Sequence, residues 1–143
     1  MVHIAIMKKS WGLIDKILSG EKTIESRWYK NRCRPWEEIE VGDTIYFKDS
    51  PGPVRAKAVV DKVIQFTDLN AKKRDKILAQ YGKSVLGTGG NPEDIKSHFK
   101  DKRYCILVFF NKARKVTPFN INKTGFGTQS AWLIVDNINK IKL

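Results

Sequence analysis

Residues 20–27 read Gly-Glu-Lys-Thr-Ile-Glu-Ser-Arg, placing a lysine, a glutamate and an arginine just after a glycine. Glycine at the end of an apolar helical stripe supplies the left-handed residue that stops a helix, and the alternation that follows aims Glu25 and Arg27 the same way from a strand. Lys22, on the bend between them, converges on the same place. Lys22 is a point charge suited to a phosphate or, once neutralised, a nucleophile or general base. Glu25 can accept from an exocyclic amine or ring N–H of a base, or hold Lys22. Arg27 offers a planar fork for phosphate or for Glu25 itself. A carboxylate close to Lys22 raises its pKa and the surrounding positive field lowers it, and the sequence leaves that balance open. A plainer role also stays open: a glutamate and an arginine two apart on a strand make a solvated pair worth at most about 1 kcal/mol.

Other groups near this segment extend the chemistry. Trp28, with Trp11, Tyr29 and Trp36, brackets it, and Phe126 and Trp132 come from a later segment. Aromatic rings stack bases at roughly 1–3 kcal/mol each, although Trp132, inside the apolar run 131–135, is expected in the core. Arg32, between Lys30 and Arg34, directly follows the motif and is the best placed of the basic clusters for phosphate contact. Lys72, Lys73, Arg74 and Lys76 read as a solvated helix face, and Lys112, Arg114 and Lys115 form a third cluster. Gly87-Thr88-Gly89-Gly90 lacks the Lys-Ser/Thr ending and preceding strand of a phosphate-binding loop and reads as a hinge. Cys33 and Cys105 cannot make a disulfide framework, and His3 and His98 come without metal-ligand spacing, so no metal and no other cofactor is expected.

The elements that must position these groups follow from length and periodicity. With 143 residues, 41% of them hydrophobic and 29% charged, the chain is expected to form one compact domain and not a disordered or collagen-like chain. Its net charge of +12 favours a polyanionic partner, most often nucleic acid, against the plainer alternative of a merely lysine-rich composition. The longest apolar run, Cys105 to Phe110, is far short of the roughly 20 residues that cross a bilayer, and Lys8 and Lys9 interrupt any secretory core at the start. A cytoplasmic protein with no membrane partner is expected.

Strands are predicted over 2–7, 23–28, 44–48, 54–66, 104–110 and 131–135, with a further bent strand within 114–122 broken by Pro118. A helix capped by Ser10 and stopped by Gly20 carries the stripe Leu13, Ile14, Ile17 and Leu18. A basic helix over 68–81 is closed by Gly82, and Asn91-Pro92-Glu93-Asp94 starts a short one. The alternation over 54–66 puts Val54, Ala56, Ala58 and Val60 on one face. Six or seven strands with two or three peripheral helices make an α+β protein, a small mixed β-barrel.

Gly20, Lys22, Glu25 and Arg27 match the GxKxxExR signature of ASCH domains, and the chain resembles this branch of the PUA-like superfamily. The likeness continues through Val41-Gly42-Asp43, the strand at 45–48, the turn 50–53 and the strand after it, and resumes at Pro118-Phe119 and Gly125-Phe126-Gly127 before Trp132. It implies a barrel with a cleft beside the signature, binding RNA or a nucleotide through Lys22, Glu25 and Arg27, with Trp28 and Arg32 assisting. Some members resemble amidohydrolases that deacetylate N4-acetylcytidine with a motif lysine, a motif threonine and a separate glutamate, and others have been proposed as ribonucleases. Lys22 matches that lysine, but the threonine position is occupied by Glu25. A binding module is therefore the leading expectation. An enzyme using Lys22 and Glu25 on the same cleft, or a regulatory protein of translation whose charge serves docking, are the alternatives.

Overall fold

The apolar runs become strands, and the strands assemble into one sheet. The computed structural model describes residues 1–87, 90–127 and 130–143. In it β1 (Val2–Lys8), β2 (Ile24–Tyr29), β3 (Thr44–Ser50), β4 (Val54–Phe66), β5 (Tyr104–Phe119) and β6 (Trp132–Val135) form a six-stranded sheet in the order β2-β5-β4-β3-β1-β6. β1 and β3 run parallel and every other neighbouring pair antiparallel, so the sheet is mixed. It curls into a half-barrel carrying two α-helices, an α+β architecture consistent with a small PUA-like barrel.

The face Val54, Ala56, Ala58 and Val60 is buried as the alternation predicts. Its alanines leave room for bulk on the neighbouring strand: Phe47 lies opposite Ala56 and Ile45 opposite Ala58. Ile45, Phe47, Ala56, Ala58 and Val60 pack with Ala5, Ile106, Val108 and Phe110, and α1 (Leu13–Ser19) adds Leu13, Ile14 and Ile17 to the same cluster, while Val54 packs with Ile4, Ile6 and Leu133. The other face of β2 and β5 is covered by α2 (Ala71–Leu86), whose Ile77, Leu78 and Val85 meet Ile24, Trp28, Cys105 and Leu107. Residues 105–108 are thus buried on both faces, which is why that run shows no alternation.

Three expectations are corrected. Lys9–Trp11 is a 3-10 turn, and Gly12 at φ +62°, not Ser10, precedes the first turn of α1; Gly20 at φ +85° stops it. Gly82 does not close α2, which starts after Asn70 and continues to Leu86. A Cβ at Gly82 would lie 2.6 Å from Pro92 Cγ, so the glycine permits a close approach and not a stop. The strands expected at 104–110 and within 114–122 are one, β5, which runs through Pro118 to Phe119. The register with β4 jumps from Ala56↔Lys115 to Val54↔Phe119, so the residue without an N–H falls in a bulge where no paired rung needs it. Pro92–Asp94, capped by Asn91, is a 3-10 turn. Thr88 and Gly89 of the predicted hinge lie outside the described residues, as do Thr128 and Gln129.

Backbone pairing leaves a seam, because β2 bonds only to β5 and β6 only to β1. Beside it His3 is wholly buried; Trp132 Nε1 donates to its Nδ1 (3.0 Å), so Nε2 carries the proton toward Asp43 Oδ2 (2.8 Å). No helix among the described residues is long and apolar enough to cross a membrane.

Candidate functional site

The turn from α1 into β2 is clamped from several sides. Lys22 N–H donates to the Lys16 carbonyl (3.0 Å), Thr23 N–H to the Ser84 carbonyl of α2 (3.0 Å), and the Thr23 carbonyl in turn accepts from Phe110 N–H of β5 (3.2 Å). This drops the Lys22 side chain between β2 and the end of α2, where it is 1% exposed. Its ammonium donates to the Ile24 carbonyl (2.6 Å) and the Val85 carbonyl, and pairs with Glu25 Oε1 at 3.0 Å. Three acceptors meet the three N–H bonds of an ammonium.

Glu25, 4% exposed, gives its other oxygen to Arg27: Oε2 accepts from Nε (3.1 Å) and Nη2 (2.8 Å). The outer edge of the guanidinium then crosses the seam. Nη2 donates to the Ile6 carbonyl of β1 (3.1 Å) and Nη1 to the Ala131 carbonyl just before β6 (3.0 Å), with the Trp132 ring 5.1 Å from the guanidinium carbon. Arg27 therefore joins strands that no backbone bond joins. The predicted convergence of Lys22, Glu25 and Arg27 is observed, but as a buried cluster and not a solvated pair.

Burial lowers the Lys22 pKa, and the opposing pull of Glu25 does not fully restore it. Burial pushes Glu25 up, but Lys22 and Arg27 outweigh that and hold its carboxyl below the ordinary range. A neutral amine at Lys22 would aim its lone pair at one of three acceptors, so the arrangement requires the ammonium and an ionised Glu25 at neutral pH.

Lys22, Glu25 and Arg27 line the polar end of a cavity of about 290 Å³; its walls include Ile6, Trp28, Leu86, Ile95 and Phe99, and Lys8 and Trp11 also line it. Trp28 is present in the wall, but one face of its ring is already stacked on Phe99 (centroids 4.2 Å apart, planes 11° apart) and its N–H donates to Ser26 Oγ. Trp11 is 41% exposed with the Lys8 ammonium 5.6 Å from its ring, which makes it the open aromatic surface of the cavity. Trp36 and Trp132 are core residues.

Arg32 is not brought to the cavity. Its guanidinium lies over the rings of Trp36 (5.8 Å) and Tyr104 (5.7 Å), themselves packed edge to face, and this attraction turns it away from Lys22 and Glu25. Lys8, Ile95 and Phe99 are cavity residues that sequence reasoning misses. Lys8 is legible only as the polar end of a strand, and the other two sit beyond α2, with nothing local to mark them. Among the described residues no group of three or more His, Cys, Asp and Glu could hold a metal ion.

No family model and no curated protein matches the sequence. Among solved structures, ASCH from Zymomonas mobilis superposes with a TM-score of 0.69 at 13% identity, over 94% of this chain and 87% of that one. A tyrosine-to-phenylalanine variant of that protein superposes with a TM-score of 0.71 at 12% identity, covering 97% and 93% of the two chains. A serine-to-alanine variant gives 0.71 at 12%, covering 97% and 91%.

Proposed function

We propose that this chain, which has an ASCH-type fold, binds RNA or a nucleotide and admits a single base to the cavity beside Glu25. The observation that carries this reading is an ionised carboxylate enclosed in an otherwise largely apolar and aromatic cavity. A carboxylate offers about four lone-pair sites. Lys22 takes one on Oε1, and Arg27 occupies Oε2 twice, which leaves Oε1 able to accept one more N–H. The amino or ring N–H edge of a base supplies such a donor. At about 290 Å³ the cavity is close to the lower end of the roughly 300–1,000 Å³ typical of small-molecule sites, suited to a base or nucleoside.

In this reading Lys22 and Arg27 keep Glu25 charged and aimed, and do not themselves touch phosphate. That task passes to cations outside the cluster, Lys8 among them, and the net charge of +12 supports a polyanionic partner. The test is equilibrium dialysis of nucleosides and short RNAs against the parent and Glu25→Gln, which keeps shape but replaces an acceptor-only group. A changed base preference is the expected result. Identical binding of every ligand by both proteins would remove the cavity from consideration.

The burial that lowers the Lys22 pKa is the observation favouring an enzyme on the same cleft. Attack by Lys22 on an acetylated cytidine would require it to lose a proton and release at least one of its three acceptors. Its signature would be turnover that Lys22→Ala abolishes while binding persists.

A further inference from the structure

On the outer face of β3, β4 and β5 lies a second charged feature that shares no residue with the cavity. Lys57 points outward because Ala56 and Ala58 on either side point into the core. Directly opposite it on β5 stands Arg114, and the next pair is Val59↔Asn111, so Lys112 and Ala113 together face Ala58 across a bulge. Lys112 sits there at φ +54°, a conformation few non-glycine residues adopt. Bulges re-aim side chains and are over-represented beside functional sites. Here the result is a groove of about 220 Å³ lined by Thr44, Lys57, Ala58, Val59, Lys112 and Arg114, with no carboxylate among them.

Like charges placed directly across a sheet are unfavourable. Several other surface cations do have a carboxylate partner: Lys30 pairs with Asp101, Arg55 with Asp15, Lys96 with Asp75 and Lys140 with Asp136. Among the described residues the side chains of Lys57, Lys112 and Arg114 have no ion pair or hydrogen bond, and Lys57 has only the Tyr46 ring at 5.9 Å. A cluster left unpaired despite this repulsion has the character of a site whose counter-charge comes from outside.

We propose that this groove binds the phosphodiester backbone of a nucleic acid strand. The Arg114 fork matches paired phosphate oxygens, the two lysines supply point charges, and the Thr44 hydroxyl adds a neutral donor. A two-residue strand step of about 6.8 Å is of the order of the separation of successive phosphates in an extended chain. That spacing, with the cations divided between two neighbouring strands, favours a polymer over a lone anion.

The test uses the full chain and a labelled 12-nucleotide oligouridylate, followed by fluorescence anisotropy between 50 and 200 mM salt. The probe variant is the triple substitution Lys57→Gln, Lys112→Gln and Arg114→Gln. It should bind about tenfold or more weakly at 50 mM, with the slope of log K against log salt flattened by about 2, because three fewer phosphates are neutralised. Its thermal midpoint should equal or exceed that of the parent, since the substitutions relieve repulsion, and nucleoside binding at the cavity should be unchanged. The proposal is overturned if the parent does not bind the oligomer, or if parent and variant bind it with the same affinity and slope. It is equally overturned if inorganic phosphate or a polyglutamate peptide competes as well as unlabelled oligomer at equal charge concentration. Nucleoside dialysis reads the cavity separately, so either site can fail without the other.

Discussion

Lys22 and Arg27 are the same residue types as Lys57 and Arg114, each pair set on or beside a strand of one sheet, yet their circumstances are opposite. The first pair holds a buried carboxylate, Lys22 buried and Arg27 largely so, with every donor of Lys22 and most of those of Arg27 engaged by oxygen. The second pair faces solvent across a rung with no counter-charge. Burial forces a cation to find partners within the protein, because an uncompensated charge in the interior is worth several kcal/mol of penalty. Exposure removes that demand and leaves the donors available. Thus the cations most conspicuous in the motif serve to fix Glu25, and those free to meet a polyanion lie where no motif marks them.

The strongest way to break this contrast is Glu25→Ala. It leaves Lys22 and Arg27 buried without a counter-charge and should cost about 3–5 kcal/mol in urea unfolding. A loss under about 1 kcal/mol would mean that the cluster behaves as a solvated pair after all.

Next in size is Arg27→Lys, which keeps the charge but loses the fork across the seam. About 2 kcal/mol should be lost, and the Ile6 amide, bonded to the Ala131 carbonyl at 3.0 Å, should exchange hydrogen faster than amides of β4. Unchanged protection at Ile6 would show that the seam holds without the guanidinium.

A smaller effect sets the buried cluster beside a second buried titratable group, His3, and is read by pH. Burial lowers the His3 pKa below 6.5 despite Asp43, so the unfolded chain takes up a proton before the folded one does. Stability is then full above about pH 6.5 and falls as pH drops through the folded pKa of His3, by up to about 1.4 kcal/mol per unit. Glu25, whose folded pKa is also lowered, contributes in the same direction but only below the ordinary glutamate value of 4.5. Urea titrations of the parent should show the upper step, and His3→Gln should lack it while keeping the lower one. A step near pH 6 that survives in His3→Gln would assign the titration elsewhere.

The smallest expected change is a gain. Lys57→Ala removes one of two facing charges and should stabilise the chain by about 0.2–1 kcal/mol at low salt, less at high salt. A loss of stability on that substitution would make the outer cations structural and erase the contrast.

Local rules make much of this visible in the sequence. The stop at Gly20, the strand over 54–66 with its inward alanines, and the shared direction of Glu25 and Arg27 all follow from a left-handed residue or a period of two. What escapes those rules is set by distant partners. Lys22 looks free for phosphate because Val85, which takes one of its protons, is 63 residues away. Arg32 looks well placed until the rings of Trp36 and Tyr104 give it a better seat. Gly82 reads as a helix end because the pressure of Pro92 against it has no local sign.

The position of β1 has a consequence for the order of folding. β1 lies between β3 and β6, so Val2 ends beside Val135, and those rungs close a loop spanning almost the whole chain. Closing so long a loop costs about 4 kcal/mol of chain entropy before any pairing offsets it, and such topologies refold slowly. Refolding should therefore pass through an interval in which β1–β3–β4–β5 are assembled and one edge of β1 is bare. A bare edge is a template for another strand. During synthesis that interval lasts until Trp132–Val135 emerge, and it is then, more than in the finished protein, that two chains meeting edge to edge would aggregate.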